Sequence, residues 1–134
     1  MVKEFNSLEE IEKYYDEGTN TYEFIEDDEM IDLVIFNFYL NVEANIKALN
    51  INSKDIKTWN IEANNIKFRN VEACNIKANY IIARNVEAIN IEAEDISYYA
   101  VCFAYQNISC KSIKARSDNA KQFVLESKLE IKGA

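Results

Sequence analysis

The chain has 134 residues and a mass of 15.5 kDa, with 49% apolar, 12% aromatic and 28% charged residues, which allows one globular domain with a closed core and excludes a disordered tail. Zero Pro, two Gly and zero His exclude collagen-like and linker-like chains and every mechanism built on an imidazole. The net charge of −8 sits at one end: residues 1–36 carry twelve acids against Lys3 and Lys13, a balance of −10, while the remainder carries eleven acids against thirteen bases, a balance of +2.

The opening residues, MVKEFNSLEEIEKYY, are too acidic and polar for a signal peptide, and no run of about 18 apolar residues offers a membrane span. The expectation is a cytoplasmic protein. Ser7 with Glu10 is a capping box, which predicts a helix over about 8–17 with Gly18 as its stop. The cluster Glu26, Asp27, Asp28, Glu29 and Asp32 follows. It lacks the spaced oxygen ligands and turn Gly of a calcium loop, so it predicts no metal and reads as an acidic surface suited to a basic partner protein. The stretch YEFIEDDEMIDLVIFNFYLNV alternates and reads as strands. Residues 1–40 are thus expected as an acidic N-terminal cap.

From Asn45 the chain can be written in fives: NIKAL, NINSK, DIKTW, NIEAN, NIKFR, NVEAC, NIKAN, YIIAR, NVEAI, NIEAE, DISYY, AVCFA. The second position is Ile or Val throughout, from Ile46 to Val101, and the first is Asn or Asp except at Tyr80 and Ala100. A period of five fits neither a helix nor a long flat strand. An α-helix would turn by about 500° between successive Ile residues and send half of them to water. The chain must instead bend every five residues. Positions two and four then share the inner face of a short strand, while position three, usually Lys or Glu, points out. Corners without Gly call for Asn or Asp, which tolerate left-handed or bridge dihedrals and can stack as ladders. The fold class is therefore all-β: a single-stranded parallel β-helix, or β-solenoid, over residues 41–105, with all parts forming one structural domain.

The three cysteines, Cys74, Cys102 and Cys110, show no CxxC spacing, and Cys74 and Cys102 lie in the apolar pattern as core or wall residues. No cofactor is expected. After Ala104 the fives lapse, resume at Ile108 and Ile113, and finish with FVLESKLEIK, expected as a terminal strand or hairpin. Residues 106–134 are read as a C-terminal strand cap, because a solenoid needs both ends covered.

The pentads over residues 41–105 resemble the pentapeptide-repeat family, whose unit has Asn or Asp before a central apolar residue. The resemblance implies a right-handed, four-sided β-helix. One departure is that the small residue here follows the central one by two (Ile61, Ala63), whereas in the family it precedes it. The tail from Asp95 also resembles a group of small proteins encoded by phages and mobile elements of low-GC Gram-positive bacteria. Two coil sizes remain open. Three pentads per coil stack Lys47, Glu62, Lys77 and Glu92 as an alternating ladder, and four put Lys47 over Lys67 and Glu72 over Glu92. Opposite charges favour three, but by well under about 1 kcal/mol per exposed pair. Four, the family geometry, is the expectation.

The fifth position is the outward corner. With four sides, Trp59, Asn79 and Tyr99 would stack on one corner, and exposed Trp and Tyr suggest an interface. The expected function is a non-catalytic, phage-encoded binding protein that presents an acidic and aromatic surface (Glu26, Asp27, Asp28, Glu29, Asp32, Trp59 and Tyr99) to a host protein. Its sharper form is inhibition of a nucleic-acid-binding or anti-phage defence enzyme by charge mimicry. The alternative is a structural solenoid acting as a homodimer or larger self-assembly. Lys111, Lys114 and Arg116 lack aromatic interleaving, so direct nucleic-acid contact is not expected. Nor is membrane contact.

Overall fold

Strand register sets the coil at fifteen residues in the computed structural model, which describes residues 1–124 and 129–131. Asn60–Glu62 pairs in parallel with Asn45–Lys47 on one side and, through Asn60↔Asn75 and Glu62↔Lys77, with the next coil on the other. Asn65 to Lys77 pairs with Tyr80 to Glu92 in the same register. One turn of the parallel solenoid is therefore three pentads, and the four implied by the resemblance is corrected. Surface charge on side A agrees with the choice, although side C sets Glu72 beside Glu87. At fifteen, Lys47, Glu62, Lys77 and Glu92 alternate in register, whereas twenty would have set like charges side by side.

Three sides result. Side A stacks residues 45–49, 60–64, 75–79, 90–94 and 107–111. Side B stacks 50–54, 65–69, 80–84, 95–99 and 112–116, and side C stacks 55–59, 70–74, 85–89 and 101–105. The inner wall is columns of β-branched residues: Ile46, Ile61, Ile76, Ile91 and Ile108 on side A, Ile51, Ile66, Ile81 and Ile96 on side B, and Ile56, Val71 and Val86 on side C, all buried. Position four supplies small residues on sides A and C. On side B the column runs Phe36, Ser53, Phe68, Ala83, Tyr98 in successive register, so large and small side chains alternate along the axis and fill the narrow interior.

The first-position residues form ladders, as expected, but by side-chain stacking alone. Asn60 Nδ2 donates to Asn45 Oδ1 at 2.7 Å, Asn75 to Asn60 at 2.7 Å, Asn90 to Asn75 at 2.9 Å and Asn107 to Asn90 at 3.1 Å. Side C carries the same device through Asn70 to Asp55 and Asn85 to Asn70. Left-handed dihedrals are not used there. Among the described residues, non-glycine positive φ is confined to Asn20, Asp27 and Asp28, all before the repeat. Backbone bonds carry the ladder round the corners, as in Asn79 N–H to Asn64 O at 2.9 Å and Glu94 N–H to Asn79 O at 2.9 Å.

The last full coil is longer. Ala83 pairs with Tyr98 but Asn85 with Val101, and Ala88 pairs with Ala104 but Asn90 with Asn107. One extra residue thus enters beside Tyr99–Ala100 and another beside Tyr105–Gln106. The twelfth pentad is one residue out of frame, and Cys102 rather than Val101 occupies the inner wall. Beyond it Ser112–Ala115, Lys121–Val124 and Leu129–Ile131 all pair in parallel with the preceding coil. The terminal hairpin is corrected to a further level of the stack, with residues 125–128 and 132–134 of the expected cap outside the described residues.

At the opposite end Val2–Phe5 pairs with Leu33–Phe36, which pairs in turn with side B. The helix is a 3₁₀ helix over Leu8–Tyr14, shorter than 8–17, because Tyr15–Asp16 already pairs with Thr21–Glu23 in an antiparallel hairpin. Glu10 does hold the helix entry. Its carboxylate accepts the Ser7 N–H at 3.0 Å and also the Asn6 N–H. Phe5, Tyr14, Phe24 and Phe36 lie ring to ring, 5.1–6.2 Å between centroids, and plug the end of the solenoid with apolar surface.

Candidate functional site

The five carboxylates of the acidic cluster are divided between two tasks. Ile25–Glu26 and Glu29–Met30 are a two-residue antiparallel pair joined by Asp27 and Asp28, with φ of 51° and 63°. This is a primed hairpin turn, for which Asp is suited. Asp27, Asp28 and Glu29 are exposed at its tip. Glu26 is engaged inside: it accepts a hydrogen bond from the Tyr14 hydroxyl and lies 3.5 Å from Lys3 Nζ and 3.4 Å from Lys13 Nζ. The Tyr14 bond, reinforced by the two lysines, holds the Glu26 carboxyl below its usual range. Burial and the Glu26 carboxylate push the Tyr14 phenol up. Asp32 pairs with the Met1 amino group, while its backbone carbonyl accepts from Asn50 Nδ2 at 2.6 Å. Three of the five therefore face outward unpaired among the described residues, and two hold the cap.

The aromatic pair is separated by the fifteen-residue register. Trp59 is 45% exposed on the corner that ends side C, and Tyr99 is 52% exposed on the corner that ends side B. The common corner expected from four sides is corrected. Trp59 instead heads a column with Cys74, Ile89 and Tyr105, and these four line a hollow of about 480 Å³ together with Glu43, Glu72 and Glu87. Phe103 meets Tyr105 edge to face at 4.9 Å, and the Tyr105 hydroxyl donates to Glu87 Oε1 at 3.4 Å. Ile89, Tyr105, Glu72 and Glu87 were missed as site residues because a period of five does not reveal which pentads stack, and the extra residue at Ala100 hides the frame of Tyr105. Position-five hydrophobicity taken at intervals of fifteen would have found Trp59 and Ile89.

Charge is partitioned by side. Side A carries Lys47, Lys77 and Lys111 against Glu62, Glu92 and Glu94, and is neutral. Side C carries Lys57 and Lys121 against Asp55, Glu72 and Glu87, with Glu43 leading into it; among the described residues Lys57 and Glu72 close to 3.8 Å, and Asp55 pairs with Arg69 across the corner. Side B carries Lys54, Lys67, Arg69, Arg84, Lys114 and Arg116 against Asp95 alone. The cysteines do not converge: Cys102 and Cys110 are buried in the wall and Cys74 is half-buried on the Trp59 corner. Burial pushes the Cys102 thiol up to about 12, with Cys110 adding to it.

No family, no curated protein and no solved structure matches this chain.

Proposed function

We propose that the chain is a non-catalytic binding protein whose contact surface is the acidic, aromatic corner of side C. The observation that carries this reading is the column Trp59, Cys74, Ile89 and Tyr105, held at strand spacing inside a frame of Glu43, Glu72 and Glu87 in which the one cation, Lys57, is paired to Glu72. Stacked strands fix these side chains on one rigid face, so little conformational entropy is lost on binding. An exposed Trp beside apolar and aromatic neighbours is the composition of a binding hot spot. The surrounding carboxylates select a partner segment that combines an aliphatic or aromatic anchor with Lys or Arg. The resemblance of the tail to phage- and mobile-element-encoded proteins supports a host protein as that partner, with inhibition of a nucleic-acid-binding or defence enzyme as its sharper form.

Homodimerisation through the same corner is the second reading. Bringing two copies of this corner together about a two-fold axis sets its carboxylates against one another, which weighs against it. Trp59 is the only Trp, so its emission reports on both readings. Affinity capture from a Gram-positive lysate is expected to retain a stoichiometric protein on the native chain and to lose it on Trp59→Ala/Glu87→Ala. Equal retention by both proteins would refute the proposal, and a concentration-dependent shift of Trp59 emission matched by a dimer mass in light scattering would favour the second reading.

A further inference from the structure

Side B is the face of the solenoid on which cations gather, whereas side A is balanced and side C is acidic. On side A the outward Lys and Glu alternate from coil to coil, so opposite charges stand in neighbouring register. On side B Arg69 and Arg84 occupy neighbouring coils between the register pairs Phe68↔Ala83 and Asn70↔Asn85, where like charges repel. Lys67, Lys114 and Arg116 add to the same face, and all are exposed. Asp55 neutralises Arg69, accepting from Nε at 3.1 Å and from Nη2 at 2.6 Å. Among the described residues Lys67, Arg84, Lys114 and Arg116 have no ion-pair partner within 4 Å; Arg116 only donates to Ser97 Oγ at 3.2 Å.

Aromatic and apolar groups stand between these cations. Tyr80 takes the place of an Asn in the side B ladder, which runs Asn50, Asn65, Tyr80, Asp95. It forgoes a ladder hydrogen bond to expose a ring at one edge of the face. Tyr99 stands at the other edge, with exposed Ile82 between them, and a hollow of about 430 Å³ opens among Asn65, Lys67, Tyr80 and Ile82. The interleaving absent from the linear sequence around Lys111–Arg116 is thus assembled by the stack.

We infer that side B binds single-stranded nucleic acid, with Lys67, Arg84, Lys114 and Arg116 on phosphates and Tyr80 and Tyr99 as base-stacking platforms. Unpaired cations that track one direction beside exposed rings are the pattern of sequence-tolerant strand binding. The acidic excess of residues 1–36 does not preclude it. From Val34 to Ile81 along side B there are three strand spacings of about 4.8 Å, which exceeds a Debye length of about 8 Å at physiological salt.

Fluorescence anisotropy with the full chain and a labelled oligothymidylate of about 16 nucleotides tests this. Four phosphate contacts on a single strand give a log–log salt slope of about −2.8, so affinity is expected to fall about 50-fold between about 50 and 200 mM salt. Arg84→Glu/Lys114→Glu is expected to abolish binding, and Tyr80→Ala and Tyr99→Ala each to weaken it at least about fivefold. Lys47→Glu on side A should leave it unchanged, and circular dichroism of each variant checks the fold. Absence of binding at low salt, or equal binding by the side B and side A variants, overturns the assignment. So does salt-sensitive self-association in light scattering that Arg84→Glu/Lys114→Glu removes, which would give side B to the acidic end of a second copy.

Discussion

Phe68 is the sharpest place to test the packing logic of the solenoid. Its ring is buried between Ser53 in the coil before and Ala83 in the coil after, so it is the large position-four side chain between two small ones. Phe68→Ala leaves three small residues in succession, and the β-sheet wall cannot collapse inward without breaking strand hydrogen bonds to both neighbours. The loss should therefore sit in the upper part of the range of about 3–5 kcal/mol for buried Phe→Ala. With an unfolding entropy of about 2.1 cal/mol/K per residue over 134 residues, about 4 kcal/mol corresponds to about 14 °C in Tm. Phe68→Ala/Ala83→Phe conserves total volume, yet it sets the new ring against Tyr98 and keeps the void beside Ser53. It is expected to be no more stable than Phe68→Ala. Thermal and urea unfolding followed by circular dichroism measure both. A loss below about 1 kcal/mol for the single variant, or recovery of native stability by the double, would refute the alternating column as the core device.

The Tyr14–Glu26 contact makes a pH prediction. The folded Glu26 carboxyl lies below its ordinary 4.5, so its contribution is complete above that value and is lost as pH falls through the folded pKa; Tyr14→Phe should flatten this acid limb in urea midpoints measured across acid pH. The folded Tyr14 phenol lies above its ordinary 10.0, so that contribution is present below pH 10 and is lost as pH rises beyond it. With native protein, a thiol-specific dye at neutral pH should label Cys74 alone and reach Cys102 and Cys110 only in denaturant; rapid modification of all three would contradict their place in the wall. Deleting both Ala100 and Gln106 restores a fifteen-residue coil and should leave the strand signal intact, whereas deleting Ile91 shifts every later inward side chain outward and should abolish folding.

Much of the fold was legible because each level of the chain repeats the same instruction. Ile or Val at position two, a small residue at position four and Asn at position one specify inward wall, inward gap and ladder without reference to any distant residue. What escaped was set by distant residues. Cys102 replaces Val101 on the wall because one extra corner residue, at Ala100, is absorbed before it, and a second, at Gln106, follows the strand without disturbing it. The 3₁₀ helix ends at Tyr14 because Tyr15–Asp16 is captured by Thr21–Glu23, and the helix signal from Ser7 and Glu10 contains no trace of that competitor.

The candidate surfaces depended on a single integer that the pentads cannot encode in their own period. Any multiple of five keeps Ile over Ile and Asn over Asn, so the position-two wall and the ladders are indifferent to the number of pentads per coil. The surface is not. With twenty residues per coil Trp59 would share a corner with Tyr99, whereas with fifteen it shares one with Cys74, Ile89 and Tyr105. The same integer collects Lys67, Arg84, Lys114 and Arg116 onto side B and leaves side A balanced. Outward side chains discriminate among these choices, and the charge ladder Lys47, Glu62, Lys77, Glu92 favours fifteen. Exposed pairs of this kind contribute less than about 1 kcal/mol each, and along side A successive coils repeat the preference. In a repeat protein, whose stability sums over nearest neighbours, such small terms can set the register. Once the register is set, the placement of every outward residue follows, and with it which partners each side can accept.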